Sequence, residues 1–393
     1  MWTMTNTPVS ERTFIAFFGC VNAGKSSLVN KVTNQPLSIV SDTEGTTTDP
    51  VIKSMELLPI GPVSICDTAG LNDMTELGKA RLEKTYEILR KADIAVVVID
   101  GEEGISEQDE KLISEIKAKN IPYIICFNKC DVKRTETKNS NEVNVSGVTG
   151  EGVEELKSML AAYAVKEERQ IVSDLFKAKD TVILVTPIDE AAPKGRLILP
   201  QQLTLRELLD IHAKVMIVQP EELSDAISSL SGKVAAVITD SQSFDDVKGL
   251  VPDDIYLTSF SILMQRYKGT LDVALAGLDA LDKLEDGDLL LVSEGCTHHR
   301  QCKDIGTVKL PGWITKYTGK NLKFEFTQGG YFPKDLSPYK MVVHCGGCML
   351  NTREMLFRQN ESVRQGVPFT NYGLLIAHIN GILKRSIAIF DKI

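Results

Sequence analysis

The sequence lacks a surplus of basic residues. Its 393 residues carry 44 Lys and Arg against 53 Asp and Glu, a net charge of −9, and the pI is near 5.3. Nucleic acid as the main partner would need an excess of Lys and Arg to neutralise phosphates, so the charge balance argues against it. Long apolar runs are also missing. The most apolar stretches, such as Ile94–Ile99, have strand length, and none approaches the ~18 residues of a membrane span. The N-terminal MWTMTNTPVSERTF has no basic start followed by an apolar core, so it does not read as a secretory signal. A cytoplasmic protein with no membrane partner is expected. Internal repeats and low-complexity tracts are absent too, which excludes repeat architectures.

What is present is ordinary globular composition, 43% hydrophobic and 25% charged, in a chain long enough for two or three domains. Residues 14–165 alternate apolar strands (Phe14–Phe18, Val63–Asp67, Ile94–Asp100, Tyr123–Asn128) with helical stretches (Ser26–Val32, Gly78–Lys91, Glu107–Ala118, Val153–Ala164). Such alternation predicts a parallel sheet with helices on both faces. A charged stretch, Lys166–Arg169, reads as a linker. Alternation resumes from about 171 to 268, with strands at Val182–Thr186, Val215–Val218, Val234–Thr239 and Ile255–Leu257. This second α/β unit has no glycine-rich loop and no cluster of catalytic residue types. Its apolar strands need a cover, and a homodimer interface is the preferred one, since most oligomers are symmetric dimers. From 269 the pattern changes: helix Thr270–Leu284, strand Asp288–Ser293, a Gly- and aromatic-rich middle, strand Lys340–His344, then helices Thr352–Gln365 and Asn371–Ser386.

Gly19–Ser27, GCVNAGKSS, matches G-x-x-x-x-G-K-[ST] directly after an apolar strand. Gly19 and Gly24 would let the backbone of Asn22, Ala23 and Ser27 wrap phosphate. Successive N–H groups and a helix N-terminus supply positive potential. Lys25 would reach the β and γ phosphates, and Ser26 would bind Mg²⁺. DTAG, Asp67-Thr68-Ala69-Gly70, ends another strand: Asp67 acts through water on Mg²⁺, and the Gly70 N–H reaches the γ-phosphate. Between them DTEGTTTD, Asp42–Asp49, stands where the first switch belongs, with Thr46 and Thr47. NKCD, Asn128–Asp131, selects guanine, because Asp131 can accept from both ring N1–H and the exocyclic amine while Lys129 packs along the base. Ser146 and Gly147 of SGVTGEG fall where a base-contacting loop is expected. GTP and Mg²⁺ are therefore the expected ligands, with Lys25, Thr47 and Gly70 closest to catalysis.

Four of the eight cysteines, Cys20, Cys66, Cys126 and Cys130, lie in or beside strands and nucleotide loops and read as buried filler. The other four crowd into the C-terminal quarter: Cys296-Thr-His298-His299, Cys302, and His344-Cys345-Gly-Gly-Cys348. Both Cys-bearing segments follow strand ends, and two glycines let the CxxC backbone bend so that both sulfurs meet one centre. On this chemistry a tetrahedral zinc site and three corners of a 4Fe–4S cluster both remain open. His212 and His378 read as ordinary core or surface residues.

Over residues 14–165 the five nucleotide elements, in this order, resemble the small GTPases related to Era and the tRNA-modifying GTPase MnmE. The resemblance implies Thr47 as a Mg²⁺ ligand and Asn22 as the holder of a K⁺ ion in cation-activated members. Gly147 departs from the usual Ala, and Leu71 stands where Ras-type enzymes carry a water-orienting Gln, so hydrolysis is expected to be slow and potassium-stimulated. Across the whole chain, C-x-H followed by H-C-x-x-C behind such a domain, together with GTTTDP at Gly45–Pro50, resembles the HydF family of FeFe-hydrogenase maturation GTPases. The resemblance implies a P-loop GTPase domain (1–168), an α/β dimerisation domain (169–268) and an α+β iron–sulfur cluster domain (269–393). It implies a scaffold that receives a transient di-iron precursor and delivers it to apo FeFe-hydrogenase, working beside radical-SAM maturation enzymes. Cys296, Cys345 and Cys348 would ligate a 4Fe–4S cluster, with His298 and His344 as further site residues and His299 and Cys302 unassigned. The alternative is a ribosome- or RNA-associated GTPase with a structural zinc.

Overall fold

The computed structural model describes residues 7–35, 51–70, 76–164, 169–188, 197–230, 233–297 and 304–392. Thr46, Thr47, Leu71, His298, His299 and Cys302 lie outside them. The chain forms two compact units, Met1–Glu167 and Glu168–Ile393. Among the described residues no helix is long and apolar enough to cross a membrane.

The first unit runs β1 (Thr13–Phe18), α1 (Lys25–Thr33), β2 (Val51–Leu57), β3 (Gly61–Asp67), α2 (Glu76–Lys91), β4 (Ile94–Asp100), α3 (Glu107–Ala118), β5 (Tyr123–Asn128), β6 (Glu142–Asn144) and α4 (Val153–Tyr163). The strands form one sheet in the order β2-β3-β1-β4-β5-β6, parallel except for β2, which runs antiparallel to β3. Successive strand residues face opposite ways, and the core divides accordingly. Ile15, Phe17, Val96 and Val98 pack with Leu28, Val29 and Val32 of α1 and Leu156 and Leu160 of α4. Phe14, Ala16, Phe18, Val97 and Ile99 pack on the other face with Leu89 of α2 and Leu112 and Ile116 of α3. This doubly wound arrangement brings the carboxyl ends of β1, β3 and β5 to one edge, where ligands bind in such folds.

The second unit holds β7 (Thr181–Val185), α5 (Leu199–Asp210), β8 (Lys214–Val218), α6 (Leu223–Ser229), β9 (Ala236–Thr239), α7 (Phe244–Val247), β10 (Tyr256–Ser259), α8 (Phe260–Tyr267), α9 (Leu271–Gly277), β11 (Leu289–Glu294), α10 (Leu310–Thr318), β12 (Lys323–Gln328), β13 (Met341–His344), α11 (Thr352–Arg364), β14 (Phe369–Asn371), α12 (Tyr372–Ile379) and α13 (Leu383–Ile387). Its strands form two four-stranded sheets, β10-β9-β7-β8 and β12-β11-β13-β14, each parallel throughout. The expected 169–268 and 269–393 regions both lie in this unit. Ile183, Val185 and Val237 of the first sheet and Leu290, Val292 and Val343 of the second belong to one apolar cluster. The C-terminal region, expected as α+β, thus carries a wholly parallel sheet, because α10 and β12 occupy the stretch that sequence periodicity left unassigned. The expected helix Asn371–Ser386 is two helices: Gly381 adopts φ +71° and turns the chain between α12 and α13.

Candidate functional site

The loop after β1 wraps back into α1 with Asn22 at φ +64° and Gly24 at φ +80°, left-handed positions of the kind that anion-binding loops use. The two motif glycines answer to protein contacts as well as to phosphate. A Cβ on Gly19 would lie 2.1 Å from Val98 O, and one on Gly24 would lie 2.2 Å from Asn128 Nδ2. Asn22 is exposed and Ala23 buried. Lys25 is buried; its Nζ donates to Gly19 O at 3.1 Å and Cys20 O at 2.7 Å. Burial pulls the Lys25 ammonium below its ordinary pKa, with Asp67, Cys20 and Asp109 opposing the fall.

Ser26 Oγ donates to Asp67 Oδ2 at 2.6 Å. Asp67 is 1% exposed, and its Oδ1 is buried with no hydrogen-bond partner. A hydroxyl beside an orphaned carboxylate oxygen is the hard-oxygen donor set that suits Mg²⁺. Thr68 serves the fold: its Oγ1 donates to Phe17 O at 2.7 Å. Ala69 is buried, and Gly70 is pressed on the P-loop, where a Cβ would meet Val21 Cγ2 at 2.4 Å.

Asn128 ties the base-side loops together. Its Nδ2 donates to Ala23 O at 2.8 Å, and its Oδ1 accepts from Gly147 N at 2.9 Å. The Gly147 N–H, expected to face the base, is thus engaged by Asn128. Glycine at this position has a steric reason, since a Cβ would stand 2.9 Å from Leu28 N. Lys129, expected along the base, adopts φ +63° and donates to Asp100 Oδ2 at 2.5 Å. That hydrogen bond, the largest contribution, raises its pKa. Asp131 is exposed. Ser146 is buried, its Oγ accepting from Thr149 N at 3.0 Å.

Of the cysteines read as filler, Cys66 and Cys126 are fully buried and Cys130 is 9% exposed. Burial pushes the Cys66 thiol up to about 12. Cys20 differs: it is partly exposed, with Sγ 3.5 Å from Asp109 Oδ1 and Ser106 Oγ.

In the second unit β11 and β13 are hydrogen-bonded neighbours, with Ser293 paired to His344. The chain leaves β11 toward Cys296 and β13 directly into Cys345 and Cys348, so both Cys segments start from adjacent strand ends. Cys345 Sγ accepts from Gly295 N at 3.1 Å and Gly347 N at 3.4 Å. Burial pushes its thiol pKa up, and the nearby Cys296 and Cys348 add to the rise. The Cys348 thiol is raised by burial, with Lys268 opposing. Among the described residues no group of three or more His, Cys, Asp or Glu converges on one metal ion. Sulfur donors that receive backbone N–H bonds suit an iron–sulfur cluster. His344 is fully buried, with Nδ1 2.7 Å from Cys345 O and Nε2 3.1 Å from Arg358 Nη1. Both ring nitrogens are engaged within the protein. Burial first, and then the Arg358 charge, hold its pKa down to about 3.

P-loop, DTAG and NKCD converging at the carboxyl edge of one sheet define the first unit as a P-loop GTPase domain. A family model described as a 50S ribosome-binding GTPase matches residues 14–129. The models for the hydrogen maturase F dimerization and tetramerization domains match residues 171–269 and 272–389. The chain belongs to the hydrogen maturase F (HydF) family. Relatives of its GTPase part include GTPase Der of Clostridium botulinum, 37% identical over 132 residues, 33% of this chain and 30% of that protein. The tRNA modification GTPase MnmE of Nitrosomonas europaea is 30% identical over 152 residues, 37% of this chain and 33% of that protein. The chain thus spans about a third of the length of these curated relatives. Among solved structures, Aquifex aeolicus Era bound to GDP and aluminium fluoride is 20% identical with a TM-score of 0.37, covering 52% of this chain and 93% of that one.

Proposed function

We propose that the protein is a cytoplasmic, Mg²⁺-dependent GTPase that serves hydrogenase maturation as a scaffold. It carries a 4Fe–4S cluster in its C-terminal third, holds a di-iron precursor there and passes it to apo FeFe-hydrogenase. The observation that carries the cluster part is the β11–β13 pairing, which starts the Cys296 and Cys345–Cys348 segments from adjacent strand ends. The three thiols hold the cluster, which when bound supplies an iron atom able to take up an exchangeable ligand. In the GTPase domain Lys25 and the P-loop N–H groups bind the phosphates, Ser26 and Asp67 orient Mg²⁺, and Asp131 reads guanine, with Thr47 completing the metal shell. Purification without oxygen tests this reading: the expected result is a coloured, iron-containing protein. A colourless, zinc-loaded protein in every preparation would overturn it in favour of an RNA-associated GTPase with structural zinc.

Potassium stimulation belongs to the same proposal. Asn22 presents an exposed amide on the P-loop, and Leu71 has no group to orient water. A K⁺ ion there would neutralise developing charge as an arginine finger does. Initial rates of GTP hydrolysis should be higher in KCl than in NaCl at equal ionic strength, and Asn22→Ala should remove the difference. Equal rates in the two salts would exclude the ion.

The dimer is assigned to β8. This strand is an edge of its sheet, and Val215, Met216, Ile217 and Val218 are all at least partly exposed, Ile217 by 41%. An unpaired apolar edge is a template for pairing with a second copy. Replacing Ile217 by lysine is expected to weaken self-association about tenfold or more, read by light scattering against dilution. An unchanged dimer would move the seam elsewhere.

A further inference from the structure

Arg358 is among the largest fully buried side chains of the described residues, and no nucleotide or cysteine motif includes it. It sits on α11, which begins shortly after Cys348. Its guanidinium reaches four acceptors on four segments. Nε donates to Glu354 Oε1 at 2.9 Å, Nη1 to Ser293 Oγ at 3.3 Å and His344 Nε2 at 3.1 Å, and Nη2 to the Gly329 carbonyl at 2.6 Å. The ring of Phe332 covers it at 5.3 Å.

Three of the four acceptors adjoin the cysteine segments. Ser293 is on β11, just before Gly295 and Cys296. His344 ends β13 and adjoins Cys345. Gly329 directly follows β12, and a Cβ there would lie 2.7 Å from Thr297 Cγ2, beside Cys296. Arginine has only donors, so His344 Nε2 must accept. The ring proton therefore sits on Nδ1, where it is donated to Cys345 O. The guanidinium thus fixes the imidazole tautomer, and the imidazole fixes the backbone of the first CxxC cysteine. A cation this deep is retained only with compensation, which Glu354 supplies at 1% exposure. Lysine, a point charge without a planar fork, cannot span these four acceptors.

We propose that Arg358 is a positioning residue that holds the Cys296 and Cys345–Cys348 segments in the geometry a metal cluster needs, acting on Cys345 through His344. The inference rests on the iron–sulfur reading for its ligand, and its test separates the two. Removing one partner of a buried ion pair threatens the fold, so the informative variant is the double change Glu354→Gln with Arg358→Met, compared with Arg358→Lys and His344→Asn. Asparagine keeps an N–H donor where Nδ1 stood.

The full chain is reconstituted anaerobically with iron and sulfide. Iron retention against a chelator and the electron paramagnetic resonance line shape of the reduced protein are then recorded. Hydrogen exchange is followed in the metal-free protein at the amides of Gly295 and Gly347, which donate to Cys345 Sγ. In the double variant, with wild-type GTP binding as the check on the other unit, iron retention should be weaker by about tenfold or more. Its line shape should change and both amides should exchange faster. Arg358→Lys should not rescue it, and His344→Asn, which keeps a donor toward Cys345 O but offers Arg358 no Nε2 acceptor, should fall between the double variant and the unmodified protein. Unaltered retention, line shape and exchange in the double variant would overturn the inference, as would a His344→Asn variant that matches the unmodified protein in retention and exchange. If the unmodified protein takes up no cluster, the iron–sulfur reading fails, and the amide exchange still decides whether Arg358 positions these loops.

Discussion

Replacing Lys25 by alanine is expected to lower GTP turnover about 100-fold or more, the usual cost of removing one preorganised donor from developing negative charge. The ammonium is buried and held over the P-loop by two carbonyls, Gly19 O and Cys20 O. Its desolvation has already been met by the fold, so little reorganisation is needed when it engages the β and γ phosphates. The Cys20 carbonyl lies in the part-buried mouth of the loop, and the sheet core does not include Lys25, so the domain should stay folded. Asp67→Asn is the companion measurement. It removes the charge of the carboxylate whose Oδ2 accepts from Ser26 and whose Oδ1 is orphaned, and should raise the Mg²⁺ concentration needed for half-maximal turnover. Steady-state phosphate release, with far-ultraviolet circular dichroism as the folding check, decides both. Turnover by Lys25→Ala within about threefold of the unmodified protein would mean that this lysine has no part in transition-state stabilisation.

Changing Cys345 to serine is expected to erase the electron paramagnetic resonance signal of the proposed 4Fe–4S cluster in the reduced protein. Cys345 is partly buried. It lies where β13 ends beside β11 and accepts N–H bonds from both sides, from Gly295 and Gly347. A serine hydroxyl is a far poorer ligand for iron than a thiolate, and the same backbone donors would then stabilise an oxygen that carries no cluster. Cys296→Ser and Cys348→Ser should have the same effect. Cys302→Ser should not, since that residue stands outside the motif, and the remaining cluster position should exchange with added imidazole. If Cys302→Ser destroys the signal and imidazole leaves the spectrum unchanged, Cys302 is the fourth ligand and the open position is excluded.

Much of the first unit is legible from local pattern. The P-loop, DTAG and NKCD residues recur at fixed places because phosphate, Mg²⁺ and guanine each demand particular atoms, and the strands before them are continuous apolar runs. Other elements escape such reading. β2, VIKSMEL, mixes four apolar with three polar residues without strict alternation and is mostly exposed, so its pattern does not mark a strand, and it forms by pairing with β3. β6 is three residues long. α10 contains Pro and Gly, and β12 alternates charged and aromatic residues at an edge, so both read as irregular.

The sequence by itself determined the order of the nucleotide motifs, the alternation that makes the sheets parallel, and the grouping of the C-terminal cysteines, because these depend on residue identity over a few neighbouring positions. Only the tertiary structure decided which groups remain free to act. The Gly147 N–H goes to Asn128, Lys129 goes to Asp100, and both nitrogens of His344 are engaged. It also decided the place of Arg358, which on sequence alone is one charged residue in an amphipathic helix. A hydrogen bond between residues far apart in the chain has no local signature, since its partner is chosen by how the strands pair and the helices pack.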